Sequence, residues 1–114
     1  MAKYIPRRGD VVWLTFNYQT GHEQSGRRPA FVVSPRAYNK KVGLFLVCPI
    51  TSRVKGYPFE VGIASKSGIN GVILADQIKS LDWKARQAEF VEEAPQHLVD
   101  EVTARILPLV DHGI

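Results

Sequence analysis

The side chains best equipped for chemistry fall in one short stretch, Gly21–Ser34 (GHEQSGRRPAFVVS). His22, Glu23, Gln24, Arg27 and Arg28 crowd between two glycines and an apolar run. Functional groups concentrate on loops that rigid elements hold in place. Pro29 biases Arg28 toward an extended backbone, so its guanidinium should be fixed at the mouth of a strand. A solvated turn with a surface arginine is the plainer reading, and composition alone does not decide between them. A second candidate is Thr51-Ser52-Arg53-Val54-Lys55-Gly56, which follows the apolar run ending Cys48-Pro49-Ile50. Hydroxyls and cations at the end of a strand can bind phosphate; a polar connector would look the same.

Three other patterns carry less. His22-Glu23 begins like a zinc-protease helix, but the position four after His22 is Gly26 rather than a second histidine. His97 and His112 lie far away in sequence, so no metal site is expected. Cys48 sits inside an apolar run and reads as a buried, inert thiol. Gly68-Ile69-Asn70-Gly71 matches an RNA-binding GxxG only as text; without flanking helices it reads as a hairpin turn.

The elements that must position these groups are short. Asp10–Phe16, Ala30–Ser34 and Leu44–Ile50 read as strands. Pro58–Ile63 alternates weakly, Gly71–Lys79 opens as a strand, and Ala88–Val91 is a further candidate. Ser34 before Pro35 predicts an N-capped short helix through Asn39. A second helix is expected from Pro95 to Leu107, with an apolar stripe at Leu98, Val102, Ile106 and Leu109 and a stop at Pro108. Five or six strands with no helix between the early ones argue for a small, strongly bent antiparallel sheet or barrel, mainly β with added helices. At 114 residues the chain is expected to form a single domain over 1–114.

Charge and cysteine content bound the setting. Residues 1–57 carry ten of the fifteen Lys and Arg but only Asp10 and Glu23 as acids. A basic half suits a polyanionic partner, or is simply a solvated basic face. The one cysteine excludes an intrachain disulfide. The N-terminus has no apolar core of a signal peptide, and no apolar run is long enough to span a membrane, so cytoplasm is the expected compartment.

Several of these segments, in this order, resemble the MazF/PemK toxin family. They are Gly9-Asp10, Glu23-Gln24 through Arg28-Pro29 to Ser34-Pro35, and Pro49-Ile50-Thr51-Ser52. Gly56-Tyr57-Pro58-Phe59-Glu60, Gly71-Val72 with Ala75-Asp76-Gln77, and Trp83-Lys84-Ala85-Arg86 complete the set. The resemblance runs from about Tyr4 to the terminal helix. It implies an SH3-like barrel of the MazF/PemK/CcdB type with a C-terminal helix, usually a homodimer. It implies metal-independent, cofactor-free cleavage of single-stranded RNA, mRNA in particular. It also implies an antitoxin whose acidic C-terminal segment blocks the RNA site and through which alone DNA would be contacted.

By the same resemblance Arg28 is the catalytic arginine, Thr51 its phosphate-binding partner and Glu23 an acid in the same loop. His22 and Asp76 match site residues of the PemK/Kid branch. That branch has an arginine two residues before the Asp, where this chain has Leu74, as in the MazF branch. The departure moves weight onto Arg28. Gln24, Ser52, Arg53, Lys55, Asp76, Gln77, Lys79 and Arg86 are the implied substrate contacts. The chemistry is consistent: attack by the RNA's own 2′-hydroxyl needs a proton acceptor, charge on the phosphorane oxygens and a proton for the leaving 5′-oxygen. The products would be a 2′,3′-cyclic phosphate and a 5′-hydroxyl. Two other readings fit the same sequence, a CcdB-like gyrase poison and a non-catalytic nucleic-acid-binding module.

Overall fold

A computed structural model describes residues 3–16 and 26–111. Seven strands and two helices follow in the order β1 (Asp10–Thr15), β2 (Arg27–Val32), α1 (Arg36–Val42), β3 (Leu44–Thr51), β4 (Glu60–Ala64), β5 (Asn70–Leu74), β6 (Lys79–Asp82), β7 (Glu89–Glu93) and α2 (Gln96–Val110). The sheet runs β4-β5-β3-β2-β1-β7, with β6 attached beside β3. Every pairing is antiparallel. The expected mainly β fold with a C-terminal helix is what forms.

Strand β3 is the hub. Its first half, Leu44–Val47, pairs with β6, while Ile50 and Thr51 pair with β5 on the same edge. Its other edge takes β2. One strand therefore serves two ladders, and the sheet bends between them. Two apolar clusters fill the two sides. Val11, Phe31, Cys48, Ile50, Val61 and Ile73 pack with Leu98, Val99 and Val102 of α2. Val12, Leu14, Ala30, Val32, Phe45 and Val47 pack with Trp83. Strands β1, β2 and β3 bury both faces, and this explains their unbroken apolar runs in sequence. The Cys48 thiol is buried and pushed up to about 12 by desolvation, so the inert reading holds.

Several sequence expectations need correction. Ser34 does not cap α1. The cap is Pro35, with no side-chain hydrogen bond, and the helix continues past Asn39 to Val42 before Gly43 ends it in the left-handed conformation. The Ser34 hydroxyl instead donates to Asn39 Oδ1 at 2.5 Å and accepts from the Leu46 amide at 2.8 Å. Asn39 then donates to the carbonyls of Pro6 and Ser34. A buried hydroxyl between two strands does more good satisfying a ladder amide than capping a seven-residue helix. Pro108 does not stop α2, which runs to Val110 with the Asp111 amide bonded to the Leu107 carbonyl. The ring falls in an exposed last turn, where one lost backbone bond costs least. The stripe also shifts: Leu109 is half exposed and Val99 packs in its stead. The stretch read as opening at Gly71 breaks into β5 and β6 around a turn at Ala75–Gln77, closed by Gln77 N–H to the Leu74 carbonyl. The Gly68 region is the expected hairpin turn, with the Ser65 amide donating to the Ile69 carbonyl and the Gly68 amide to the Ser65 carbonyl.

Candidate active site

The pairing of β2 with β3 sets the site. Ala30 faces Pro49, Phe31 faces Cys48, and Val32 faces Val47. Continued two residues further, the same register sets Arg28 across from Thr51. Both line a cleft of about 300 Å³ with Trp13, Pro29, Ser52 and the β4–β5 turn at Ser67–Asn70. Arg28 is the second residue of β2 rather than part of a loop, so its backbone is held by the sheet. Its side chain has no hydrogen-bond or ion-pair partner among the described residues.

Its neighbour behaves oppositely, as alternation along a strand requires. Arg27 reaches the carbonyls of Trp13, Arg86 and Gln87, the Thr15 hydroxyl and the Glu89 carboxylate. Arg27 ties β1 to β7, whereas Arg28 faces the cleft.

Thr51 is positioned from two directions. Its hydroxyl accepts the Arg53 amide at 3.1 Å, which leaves the hydroxyl proton to donate outward. Its backbone is pressed against Gly71, where a Cβ would stand 2.1 Å from the Thr51 carbonyl oxygen. Gly71 has φ +142°, and only glycine permits that contact.

A second cleft of about 170 Å³ shares Thr51 as its wall and is lined by Arg53, Lys55, Tyr57, Glu60, Leu74 and Gln77. Glu60 shapes its rim, because its two carboxylate oxygens accept the amides of Lys55 and Gly56 at 3.0 and 2.8 Å. Asp76 accepts the Tyr57 hydroxyl at 2.9 Å. That bond holds the phenol up from its ordinary value.

The structure thus brings Arg28, Thr51 and Ser52 together in one cleft, with Arg53, Lys55 and Gln77 in the adjoining one and Asp76 behind Tyr57. Lys79 and Arg86 line neither. Lys79 is opposite Val47 on β6. Arg86 donates to the carbonyls of Thr15 and Phe16, so it secures the end of β1 instead of facing the cleft. His22, Glu23 and Gln24 lie outside the described residues. Among the described residues no group of three or more His, Cys, Asp or Glu side chains could hold a metal ion. No helix there is long and apolar enough to cross a membrane. Sequence reasoning gave no role to Tyr57 or Trp13. The aromatic in Gly56-Tyr57-Pro58 was the signal available for the first; for Trp13, an ordinary strand aromatic, none was.

The half-barrel thus brings an arginine and a threonine together in one cleft, beside a loop carrying Arg53 and Lys55. Residues 7–110 match the family described as PemK-like, MazF-like toxin of type II toxin-antitoxin system. The chain is 48% identical over 88 residues to the Endoribonuclease toxin MazF of Escherichia coli (strain K12), covering 77% of this chain and 78% of that protein. It is 37% identical over 111 residues to the Endoribonuclease toxin ChpB of the same strain, covering 91% and 93%. A crystal structure of MazE-MazF from Deinococcus radiodurans superposes with a TM-score of 0.89 at 50% identity, covering 97% of this chain and all of that one (100%). The chain belongs to the PemK/MazF family of toxins of type II toxin-antitoxin systems, and the curated relatives it matches are named endoribonucleases.

Proposed function

We propose that this toxin cuts single-stranded RNA at the Arg28–Thr51 cleft by attack of the RNA's own 2′-hydroxyl, with no metal or other cofactor. The observation that carries the reading is the convergence of these two side chains, each fixed by its own strand, with Arg28 unengaged among the described residues. Arg28 presents paired donors to two phosphate oxygens, and Thr51 adds one more. Arginine holds its proton too tightly to be an effective acid, so its part is charge stabilisation. The message is the target, and translation stops because messages are cut. The toxin works in the cytoplasm as one domain spanning the chain, paired with a second copy. A cognate antitoxin with an acidic C-terminal segment covers the basic cleft; relatives solved as MazE-MazF complexes support such a partner. A gyrase poison on this barrel would have no use for a phosphate site at Arg28 and Thr51.

The test is incubation of the pure protein with a long RNA in EDTA, followed by end mapping. We expect discrete cuts with 2′,3′-cyclic phosphate and 5′-hydroxyl ends. Activity that EDTA abolishes and Mg²⁺ or Mn²⁺ restores would overturn the mechanism, and intact RNA would overturn the function.

Glu23 is the proposed proton acceptor, since MazF-branch sequences lack the His22 counterpart. Replacing Glu23 should then cost far more of single-turnover cleavage than replacing His22. A His22→Gln variant losing more than about a hundredfold, with Glu23→Gln nearly normal, would reverse the assignment.

A further inference from the structure

We propose that Glu92 is a positioning residue for cleavage: it clasps the β4–β5 turn to β7 and thereby sets the width of the cleft in which Arg28 and Thr51 act. This rests on the RNA-cleaving reading above. The turn at Ser67–Asn70 is one wall of that cleft, and Trp13, Arg28 and Thr51 are among the others. It lies beyond Thr51 and Val72, the last residue pair that joins β5 to β3, so the ladder does not fix its tip. Ile69 seats in the core beneath it. The sideways restraint comes from β7.

Strands β4 and β7 end the sheet on opposite sides, so a bond between the β4–β5 turn and β7 joins its two ends. Glu92, half-buried on β7 opposite Val11 of β1, makes that bond: its carboxylate accepts the Ser67 amide at 2.9 Å. The Ser67 hydroxyl, the Ser67 and Lys66 amides and the Lys66 charge hold its carboxyl below the usual glutamate range. Several donors thus converge on one carboxylate, in bonds of the stronger, charge-assisted kind. The base of the clasp is fixed as well, because Arg27 pairs with Glu89 of the same strand at 3.3 Å. An idle carboxylate so near a phosphate site would only repel RNA. Here the turn engages it, and the turn in turn sets the space beside Arg28 and Thr51.

The experiment compares full-length wild type with Glu92→Ala, Glu92→Asp and Glu92→Gln. KM and kcat are measured on one RNA in EDTA, well below each Tm, and hydrogen exchange of the Ser67 amide is followed without RNA. Glu92→Ala should lower kcat by roughly tenfold, part of the 10²-fold that a displacement of about 1 Å can cost. KM should change by less than about threefold, since the groups that hold the phosphate stay on their strands. Glu92→Asp keeps the charge but is one methylene short of Ser67, so it should behave like Glu92→Ala. Glu92→Gln keeps an acceptor oxygen at the right length and should retain most of the wild-type kcat. The Ser67 amide should exchange faster in the Ala and Asp variants than in the other two proteins. An effect of charge on the RNA would reverse the order, with Asp near wild type and Gln like Ala, and would overturn the clasp. A lower Tm with kcat unchanged in Glu92→Ala would also overturn it, because that marks a role in stability alone. Unchanged Ser67 exchange in Glu92→Ala would remove the contact on which it stands. A wild type that cuts no RNA overturns the nuclease reading itself, a result separable from these because the exchange measurement reads the contact without RNA.

Discussion

Arg28→Ala should lose at least 10²–10³-fold in single-turnover cleavage, the typical effect of removing one preorganised donor to a developing oxyanion. The expected loss is at the upper end or beyond, because a guanidinium contributes net charge as well as two hydrogen bonds. The fold should survive, since the side chain is exposed and makes no bond among the described residues that the sheet depends on. Arg28→Lys should recover little: a point charge on a flexible stem cannot reproduce the planar fork. Arg27→Ala is the matched control. It removes the ties to Gln87 and Glu89 and costs some stability, but its rate should fall far less than that of Arg28→Ala. Wild-type cleavage by Arg28→Ala, measured alongside a circular dichroism melt, would place the site elsewhere.

Among the described glycines, Gly71→Ala should be the most damaging single methyl addition. The new Cβ would lie 2.1 Å from the Thr51 carbonyl oxygen and 2.9 Å from both the Thr51 carbonyl carbon and the Ser52 Cα, all backbone atoms that cannot swing aside. The residue would also be strained at φ +142°. Overpacking and backbone strain together should cost about 3 kcal/mol, lowering Tm by roughly 10 °C. The catalytic effect is separate. Relief of the clash must move Thr51 relative to Arg28, and a displacement of about 1 Å at a reacting centre can cost on the order of 10²-fold. Rates measured well below the midpoint isolate it. Gly62→Ala, at a strand position with nothing within 4 Å of the added carbon, should change neither quantity appreciably. A Gly71→Ala protein with wild-type Tm and rate would mean that the β3–β5 contact is not what holds Thr51.

Much of this was legible in the chain itself. The apolar runs at β1, β2 and β3 stand out because those strands are buried on both faces, and the arginine before Pro29 sits on a strand as its backbone bias requires. Other features depend on partners that sequence does not reveal. Ser34 has the right type for a helix cap, yet a ladder amide at Leu46 claims its hydroxyl. Arg86 is a cation near other cations in a basic chain, and only the return of β7 beside β1 shows that carbonyls of Thr15 and Phe16 occupy it. Lys79 falls on β6, a strand that local pattern does not separate from β5. The meeting of Arg28 and Thr51 in one cleft is intermediate. Both residues were conspicuous, but it is the β2–β3 register that brings positions 23 residues apart to one cleft.

If Arg28 and Thr51 act on the same phosphate, a double-mutant cycle between them will show it. Single-turnover rates for Arg28→Ala, Thr51→Ala and the double variant are measured on one RNA in EDTA. Residues that stabilise the same charge in the transition state are not additive, because once one is gone the other has less to hold. The double variant should be no more than a few-fold slower than Arg28→Ala alone. Losses that multiply in full would show two independent contributions and contradict a shared phosphate site.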